Sequence, residues 1–378
     1  MPAPSTVEPT PSNPSMTTMG STPDGVPAAV TTLMTSGHIP GLSLAVVDRD
    51  GVLFAAGVGA ADLASATPAT PSTAYLWFSM SKIVTATAAL RLAEDGRLDL
   101  DAPVGEYVDY LQAPGPRQPT VRQLLNHTAG LGNPLPIRWA HLADATPPDP
   151  EALLRRLMSR RRAYRYPVGS AARYTNLGYL AAGQVIATAA GQPLQRYIQE
   201  AVLNPVGMAR TGFTYQPDAN AATGYVRSPK VADPVLRRIL PAGVAGSRHR
   251  GYLGLNRFHV DGPAYGGLVG DVLDASRFLR MHLGDGQING HRVLTPETTR
   301  AMRRLDQKGK PFDHGLGWFR RPTTGRGDWV EHFGAGAGFW NVMRLYPDRG
   351  LGVVVMTNST TTYDFEPLFA LLAGASWS

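Results

Sequence analysis

The stretch that decides the fold of this chain is Ser79-Met80-Ser81-Lys82, in which a serine is followed three residues later by a lysine. A helix beginning at Ser79 would place these two side chains on one face, one turn apart. The hydroxyl would then lie at the positive end of the helix dipole, with an amine close enough to accept its proton. The run 82–94 predicts a mostly buried helix that ends at Asp95-Gly96. A lysine in this setting is unusual, because only four of the 36 basic residues are lysines.

Two further motifs carry side chains suited to the same chemistry. Tyr174-Thr175-Asn176 precedes an apolar helical run, so a tyrosine and an asparagine two residues apart can point into one cleft. His332-Phe333-Gly334 lies farther along the chain, before a glycine-rich turn and a strand-like segment. Each motif alone has an ordinary explanation: an N-cap serine with a solvent-seeking lysine, a core tyrosine with a capping asparagine, or a turn between strands. Their occurrence together favours a shared site.

The order S-x-x-K, Y-x-N and H-x-G resembles the motifs of the serine β-lactamase and penicillin-binding-protein superfamily, whose third motif is usually K-T-G. Two more segments, 124–131 (LLNHTAGL) and 265–269 (YGGLV), resemble its class C-like branch. That branch contains family VIII-type esterases, D-aminopeptidases, carboxypeptidases and acyltransferases. The resemblance runs from about Val26 to the C-terminus and is far more specific for fold than for substrate.

The predicted fold class is α+β, an α/β sandwich. Strand patterns at both ends of the chain predict one antiparallel sheet flanked by helices, with a mainly helical lobe inserted between them. Residues 1–25 are rich in Pro, Ser and Thr and predict a disordered tail, so 26–378 would form a single catalytic domain. Its lobes are expected at about 26–80 with 270–378 (α/β) and about 81–269 (helical).

The resemblance implies a catalytic role for three side chains. Ser79 would attack a carbonyl to form an acyl-enzyme, while Lys82 and Tyr174 would share the general-base and general-acid work. Asn176 would hydrogen-bond Lys82 or the substrate. The backbone N–H groups of Ser79 and Ala335 would form the oxyanion hole.

His332 departs from the family pattern, and with Gly334 it is expected to lie along the substrate-binding edge of the cleft. A lysine at this position holds the carboxylate of penicillins or peptidoglycan peptides, which a mostly neutral histidine does less well. The departure favours ester or amide substrates without an essential carboxylate. Two other histidines, His127 and His249, are interpreted as structural and as loop surface.

Composition narrows the functional classes. With 378 residues, 43% of them apolar, the chain can bury a substantial core. The absence of cysteine excludes disulfides, thiol catalysis and cysteine-ligated metals. No metal or cofactor motif is found, and we expect neither group. The first residues lack the pattern of a signal peptide, and no apolar run is long enough for a membrane span. A cytoplasmic enzyme without a membrane partner is therefore expected.

The net charge of +7 is concentrated in arginine, with one cluster at 155–165. We interpret this cluster as the solvated face of a helix and the connection after it. A docking surface for an acidic carrier protein or a phosphorylated substrate is the second interpretation. Nucleic-acid binding is not expected, because no recognisable module is present. Two long, poorly patterned stretches, 134–148 and 223–263, are expected to wall the cleft.

The leading functional hypothesis is an acyl-transfer enzyme that acts through a seryl acyl-enzyme on small esters or amides. Water as acceptor would make it an esterase or amidase, and an amine or alcohol would make it a transacylase. The arginine-rich, lysine-poor composition resembles actinobacterial enzymes of secondary metabolism, which keeps the transacylase version open. A β-lactamase or D-Ala-D-Ala carboxypeptidase is the alternative. A non-catalytic ligand-binding relative is the alternative of another class, and an α/β-hydrolase is disfavoured by the lack of G-x-S-x-G.

Overall fold

The computed structural model describes residues 16–136, 138–159, 163–321, 329–360 and 363–377. Its strands are, in chain order, β1 (Met16–Met19), β2 (Gly41–Val47), β3 (Val52–Asp62), β4 (Thr67–Pro68), β5 (Tyr75–Leu76), β6 (Ala140–Leu142), β7 (Tyr225–Arg227), β8 (Ala245–His249), β9 (Tyr252–Leu255), β10 (Phe258–Val260), β11 (Val269–Gly270), β12 (Gln287–Ile288), β13 (His291–Arg292), β14 (Asp313–His314), β15 (Phe319–Arg320), β16 (Val330–Gly336), β17 (Phe339–Tyr346) and β18 (Leu351–Thr357).

The α-helices are α1 (Val26–Gly37), α2 (Ser81–Glu94), α3 (Val121–Leu125), α4 (Pro150–Met158), α5 (Asn176–Ala190), α6 (Leu194–Ile198), α7 (Asn204–Val206), α8 (Asp233–Ile239), α9 (Pro263–Gly266), α10 (Val272–Leu283), α11 (Pro296–Arg303) and α12 (Glu366–Gly374). A 3₁₀ turn, Phe78–Met80, leads directly into α2. Among the helices of the described residues, none combines the length and the apolar character needed to cross a bilayer.

One antiparallel sheet unites the two ends of the chain. Its strand order is β1-β3-β2-β18-β17-β16-β15-β14, with β4 attached to β3. The N-terminal hairpin joins the C-terminal strands where β2 pairs with β18, and Leu44 lies opposite Val355. The α+β prediction, with a sheet built from both chain ends, is confirmed. Both β2 and β18 are buried along their whole length, which explains their continuous apolar sequences.

Helices cover both faces of this sheet. Alternate residues of β2 enter different cores: Leu44 and Val46 pack in the cluster that contains α1 and α12, whereas Ala45 and Val47 pack in the larger cluster with α2 and α10. This alternation follows from the two-residue repeat of a strand. The site described below lies on the side of the larger cluster. The lobe boundaries near residues 80 and 270 stay a prediction.

The beginning of the chain differs from the predicted tail of residues 1–25. Met16–Met19 forms strand β1 and pairs antiparallel with β3, with Met16 opposite Val58. Residues 1–15 lie outside the described residues. The strand escaped prediction because MTTM has a single apolar residue at each end and three of its four residues are exposed.

The first part of the arginine cluster lies on helix α4. Asp149 caps α4, and Leu153, Leu154 and Leu157 form its buried stripe. Arg155 and Arg156 are exposed, as a solvated helix face requires, whereas residues 160–162 lie outside the described residues.

Candidate active site

The segment that carries Ser79 is tied to the central sheet. Asn341 on β17 donates from Nδ2 to the Leu76 carbonyl oxygen at 2.9 Å and accepts at Oδ1 from the Thr357 N–H at 3.1 Å. Phe78, the residue before the serine, has a φ of 47°, a left-handed conformation that costs a non-glycine residue about 1 kcal/mol. Such strain persists only where surrounding contacts hold it. Ser79 is thereby fixed in the 3₁₀ turn that leads into α2 and remains half-exposed.

Lys82 is fully buried, and its amine has three oxygen neighbours. Nζ lies 3.0 Å from Ser79 Oγ, 2.8 Å from Asn176 Oδ1 and 3.1 Å from the carbonyl oxygen of Tyr265. Burial holds the pKa of Lys82 well below its ordinary value. A neutral amine has two N–H donors and one lone pair. Because the amide and carbonyl oxygens can only accept, they take the two donors and leave the lone pair for the serine hydroxyl.

Tyr174 approaches the same serine while part of its surface stays open to the cleft. Burial raises the pKa of its phenol above the usual value, and a hydrogen bond with the Ser79 side chain acts in the opposite direction. The ring also lies 4.8 Å from Lys82 Nζ. The phenol is therefore a protonated donor at neutral pH, and the neighbouring amine, whose pKa is the lower of the two, is the group available to accept a proton.

Three buried histidines, His127, His314 and His332, surround the Tyr174 ring at centroid distances of 4.7, 6.3 and 6.0 Å. Burial lowers the pKa of each, to about 4 for His314 and well below the usual value for the other two. Protonation of Lys82 would lower the pKa of His332 further. All three rings are thus neutral at pH 7. They enclose the tyrosine without adding a fixed positive charge.

Two of these histidines have an assignable tautomer. His127 Nδ1 accepts the Thr175 N–H at 3.2 Å, so this ring carries its proton on Nε2. Nδ1 of His332 lies 2.7 Å from the Phe333 carbonyl oxygen, which can only accept, so the proton is on Nδ1. His127 therefore holds the backbone between Tyr174 and Asn176. This contact agrees with its interpretation as a structural residue.

Glycines on β16 allow that strand to pack against the serine turn. A Cβ at Gly334 would lie 1.9 Å from the Trp77 carbonyl oxygen, and one at Gly336 would lie 2.1 Å from the Phe78 ring. A larger residue at Gly334 would collide with backbone, and one at Gly336 would have to displace the Phe78 ring. The close packing brings Ala335, between the two glycines, to the same cavity as Ser79.

That cavity has a volume of about 250 Å³. The two poorly patterned stretches supply most of its walls, including Trp139 from 134–148 and Leu240, Val244 and Phe258 from 223–263. The second stretch is more ordered than its sequence indicates, since it contains β7 to β10 and α8.

The structure brings the residues singled out in the sequence to one place. Direct contacts join Lys82 to Ser79 and Asn176, and Tyr174 to Ser79. His332 lies behind the tyrosine ring. The neighbouring strand β16 contributes Gly334 and Ala335. Sequence reasoning missed two contributors, the Tyr265 carbonyl group and the His314 ring. The Tyr265 carbonyl group lies in the segment 265–269, but every residue type has a backbone acceptor, so the sequence cannot identify it. The second has no sequence signal.

The family model of the Beta-lactamase family matches residues 26–374, and the chain belongs to this family. Protein Rv1367c of Mycobacterium tuberculosis (strain ATCC 25618 / H37Rv) is 28% identical over 327 residues, which cover 78% of this chain and 77% of the relative. The D-alanyl-D-alanine-carboxypeptidase/endopeptidase AmpH of Escherichia coli (strain K12) is 25% identical over 301 residues, covering 75% and 71% of the two chains.

Solved structures share the fold. The D-amino acid amidase from Ochrobactrum anthropi SV3 superposes with a TM-score of 0.74 at 22% identity, covering 92% of this chain and 97% of the amidase. EstCE1, described as a hydrolase with promiscuous acyltransferase activity, gives 0.70 at 21% identity, covering 93% and 97%. The chain thus shares its fold with an amidase and with a hydrolase that has promiscuous acyltransferase activity. At these identities the likeness defines the fold alone.

Proposed function

We propose that this chain is a serine acyl-transfer enzyme in which Ser79 is the nucleophile, Lys82 its general base and Tyr174 the general acid. The observation that carries the proposal is the fully buried Lys82 amine, whose pKa burial lowers, 3.0 Å from a half-exposed serine hydroxyl. An amine whose pKa is lowered by burial can accept a proton at neutral pH. Membership of the Beta-lactamase family supports the same chemistry.

In the first step Ser79 Oγ bonds to the carbonyl carbon of the donor while its proton passes to Lys82 Nζ. The resulting ammonium has three N–H donors for the three oxygen atoms already around it. The carbonyl oxygen becomes an oxyanion, which the backbone N–H groups of Ser79 and Ala335 would stabilise. Asn176 and the Tyr265 carbonyl group thus position the base for both of its protonation states.

In the second step the bond from carbon to the leaving group breaks. Tyr174 donates its phenolic proton to the departing oxygen or nitrogen and regains a proton from the Lys82 ammonium, so both groups return to their neutral forms. The acyl-enzyme on Ser79 is then attacked by water, or by an amine or alcohol, with the same pair removing the proton of the acceptor. Hydrolysis and transacylation differ only in this acceptor.

The neutral ring of His332 favours acyl donors that have no carboxylate group. Burial lowers its pKa, so β16 offers no cationic side chain where relatives use lysine. Among the described residues lining the cavity beside Ser79, none is charged. Small uncharged esters and amides fit this site better than penicillins or peptidoglycan peptides do.

Mass spectrometry of the intact protein tests the proposal. Incubation with p-nitrophenyl acetate or a fluorophosphonate should add one acyl or phosphonyl group, mapped to Ser79 by peptide sequencing. Ser81→Ala is the matched control, because Ser81 is buried and accepts the Leu268 N–H at 3.2 Å. The label should vanish in Ser79→Ala and persist in Ser81→Ala. A label that remains in Ser79→Ala would exclude this nucleophile.

The choice of acceptor requires a second measurement. Product ratios from one activated ester, followed over rising concentrations of a panel of amines and alcohols, distinguish the two versions. A transacylase should partition to the acceptor by orienting it and excluding water. If only hydrolysis is observed at saturating concentrations of every acceptor, the transacylase version is excluded and the enzyme is an esterase or amidase.

A further inference from the structure

The cavity beside Ser79 is apolar as well as uncharged. Its innermost side chains include Trp139, Val244, Phe258 and Val260, each less than 10% exposed. Half-buried Leu240 forms part of its edge. Desolvating an ionised group in such a lining is unfavourable, because no charged partner among the described lining residues offsets the lost hydration. The cavity can therefore accommodate apolar atoms and penalises charged ones.

The apolar wall follows from the pairing of two short strands. β6 and β10 form an antiparallel ribbon in which Ala140 lies opposite Val260. Ala140, Phe258 and Val260 line the cavity beside Ser79, whereas the intervening His141 and His259 line a separate cavity on the other side. Because alternate residues of a strand point to opposite faces, the ribbon presents apolar side chains to the serine and keeps its histidines away.

The position of the cavity identifies which half of the substrate it receives. Ser79, Asn176 and Ala335 line it, whereas Tyr174 and His332 do not. In the proposed reaction the leaving group takes its proton from Tyr174 and must depart on that side of the serine. The part of the substrate that stays on Ser79 is then directed into the cavity.

We propose that this cavity, the acyl pocket, binds the acyl group of the donor and selects uncharged, apolar groups of roughly eight non-hydrogen atoms; this inference rests on the function proposed above. The size follows from its volume of about 250 Å³ and the ~30 Å³ that one water molecule occupies in the liquid. Each methylene that enters the pocket should raise kcat/KM roughly fourfold until the pocket is full.

A series of p-nitrophenyl esters from acetate to dodecanoate tests the acyl pocket. We expect kcat/KM to rise to a maximum at hexanoate or octanoate and to fall for dodecanoate. Mono-p-nitrophenyl adipate, which ends in a carboxylate, should react at least roughly tenfold more slowly than hexanoate. A flat series, or equal rates for adipate and hexanoate, would overturn the acyl pocket.

Two variants with the same substitution sharpen this test. Val244→Phe fills the pocket and should lower the ratio of octanoate to acetate kcat/KM by roughly tenfold or more. Val235→Phe is the matched control, since Val235 lies on α8 in the same stretch and is 58% exposed; its ratio should equal that of the wild type. If Val244→Phe does not fold, Leu240→Trp at the half-buried edge should change the ratio in the same direction.

The failure of this inference and that of the proposed function give different results. An unchanged ratio in both pocket variants, in protein that still forms the Ser79 adduct, overturns the acyl pocket and leaves the serine mechanism intact. No adduct on Ser79 with any ester of the series overturns both.

Discussion

Replacing Asn176 by aspartate changes one atom and places a negative charge next to the proposed base. The contact from Asn176 Oδ1 to Lys82 Nζ is 2.8 Å. Coulomb's law at 2.8 Å with an effective dielectric constant of about 20 gives about 6 kcal/mol, or about 4 pKa units. Desolvation of the new carboxylate offsets part of this attraction, so we expect the pKa of Lys82 to rise by roughly 2 to 4 units.

The sign of the effect on rate follows from the role of Lys82. Acylation needs the neutral amine, so the rate rises as the pH increases through the pKa of Lys82. That pKa is depressed in the wild type, and Asn176→Asp should move the rising limb to higher pH by roughly 2 to 4 units. At neutral pH the acylation rate constant should fall by up to the same number of powers of ten, and by less if the wild-type pKa lies below about 7.

Stopped-flow release of p-nitrophenol between pH 5 and 10 measures this limb. Asn176→Leu is the control: it removes an acceptor of the ammonium without adding charge, so its limb should stay in place or move to lower pH. The assignment of Lys82 as the titrating base would be refuted if the rising limb of the pH–rate profile were the same in Asn176→Asp and the wild type. This comparison requires folded variant protein that still acylates Ser79.

Three further outcomes are expected. Tyr174→Phe should slow turnover of alkyl esters by roughly two to four orders of magnitude, and that of p-nitrophenyl esters much less, because only the alkoxide needs a proton; equal losses would remove Tyr174 as the acid. Gly334→Ala should lower kcat/KM at least roughly tenfold by displacing the serine turn, whereas Gly51→Ala, where a Cβ meets nothing within 4 Å, should not. Benzylpenicillin should acylate Ser79 at least roughly 100-fold more slowly than p-nitrophenyl hexanoate; comparable rates on the intact-mass time course would contradict a site without a carboxylate partner.

The sheet was predictable where burial imposes a strong pattern. The strands β2, β17 and β18 lie at the two ends of the chain where strand patterns are predicted, because mostly apolar runs of this length between turn residues favour buried strands. The small ribbons from 223–263 were not predicted. Their polar, glycine- and arginine-rich sequences are ordered by contacts between residues distant in sequence, such as the pairing of β10 with β6. Local strand propensity does not depend on such contacts and cannot predict them.

The site was predictable to the extent that its chemistry depends on residue type and spacing. Ser79 and Lys82 share one turn, so their contact follows from helical geometry. The contact between Lys82 and Asn176 joins residues 94 positions apart and was expected only from the family resemblance. The Tyr265 carbonyl group could not have been found, because any residue offers a backbone oxygen. His314 reaches Tyr174 through the register of β14 and β15 at the sheet edge.

The most direct test of the central claim is the acylation rate constant of Lys82→Met at neutral pH. Methionine preserves much of the volume of this fully buried side chain and removes a polar group from the core, so the variant should fold. If Lys82 accepts the proton of Ser79, the rate constant for acylation by p-nitrophenyl hexanoate should fall by roughly two to four orders of magnitude. A folded Lys82→Met variant that acylates Ser79 within about threefold of the wild-type rate would contradict the mechanism, since a loss that small is far below that expected for a positioned base.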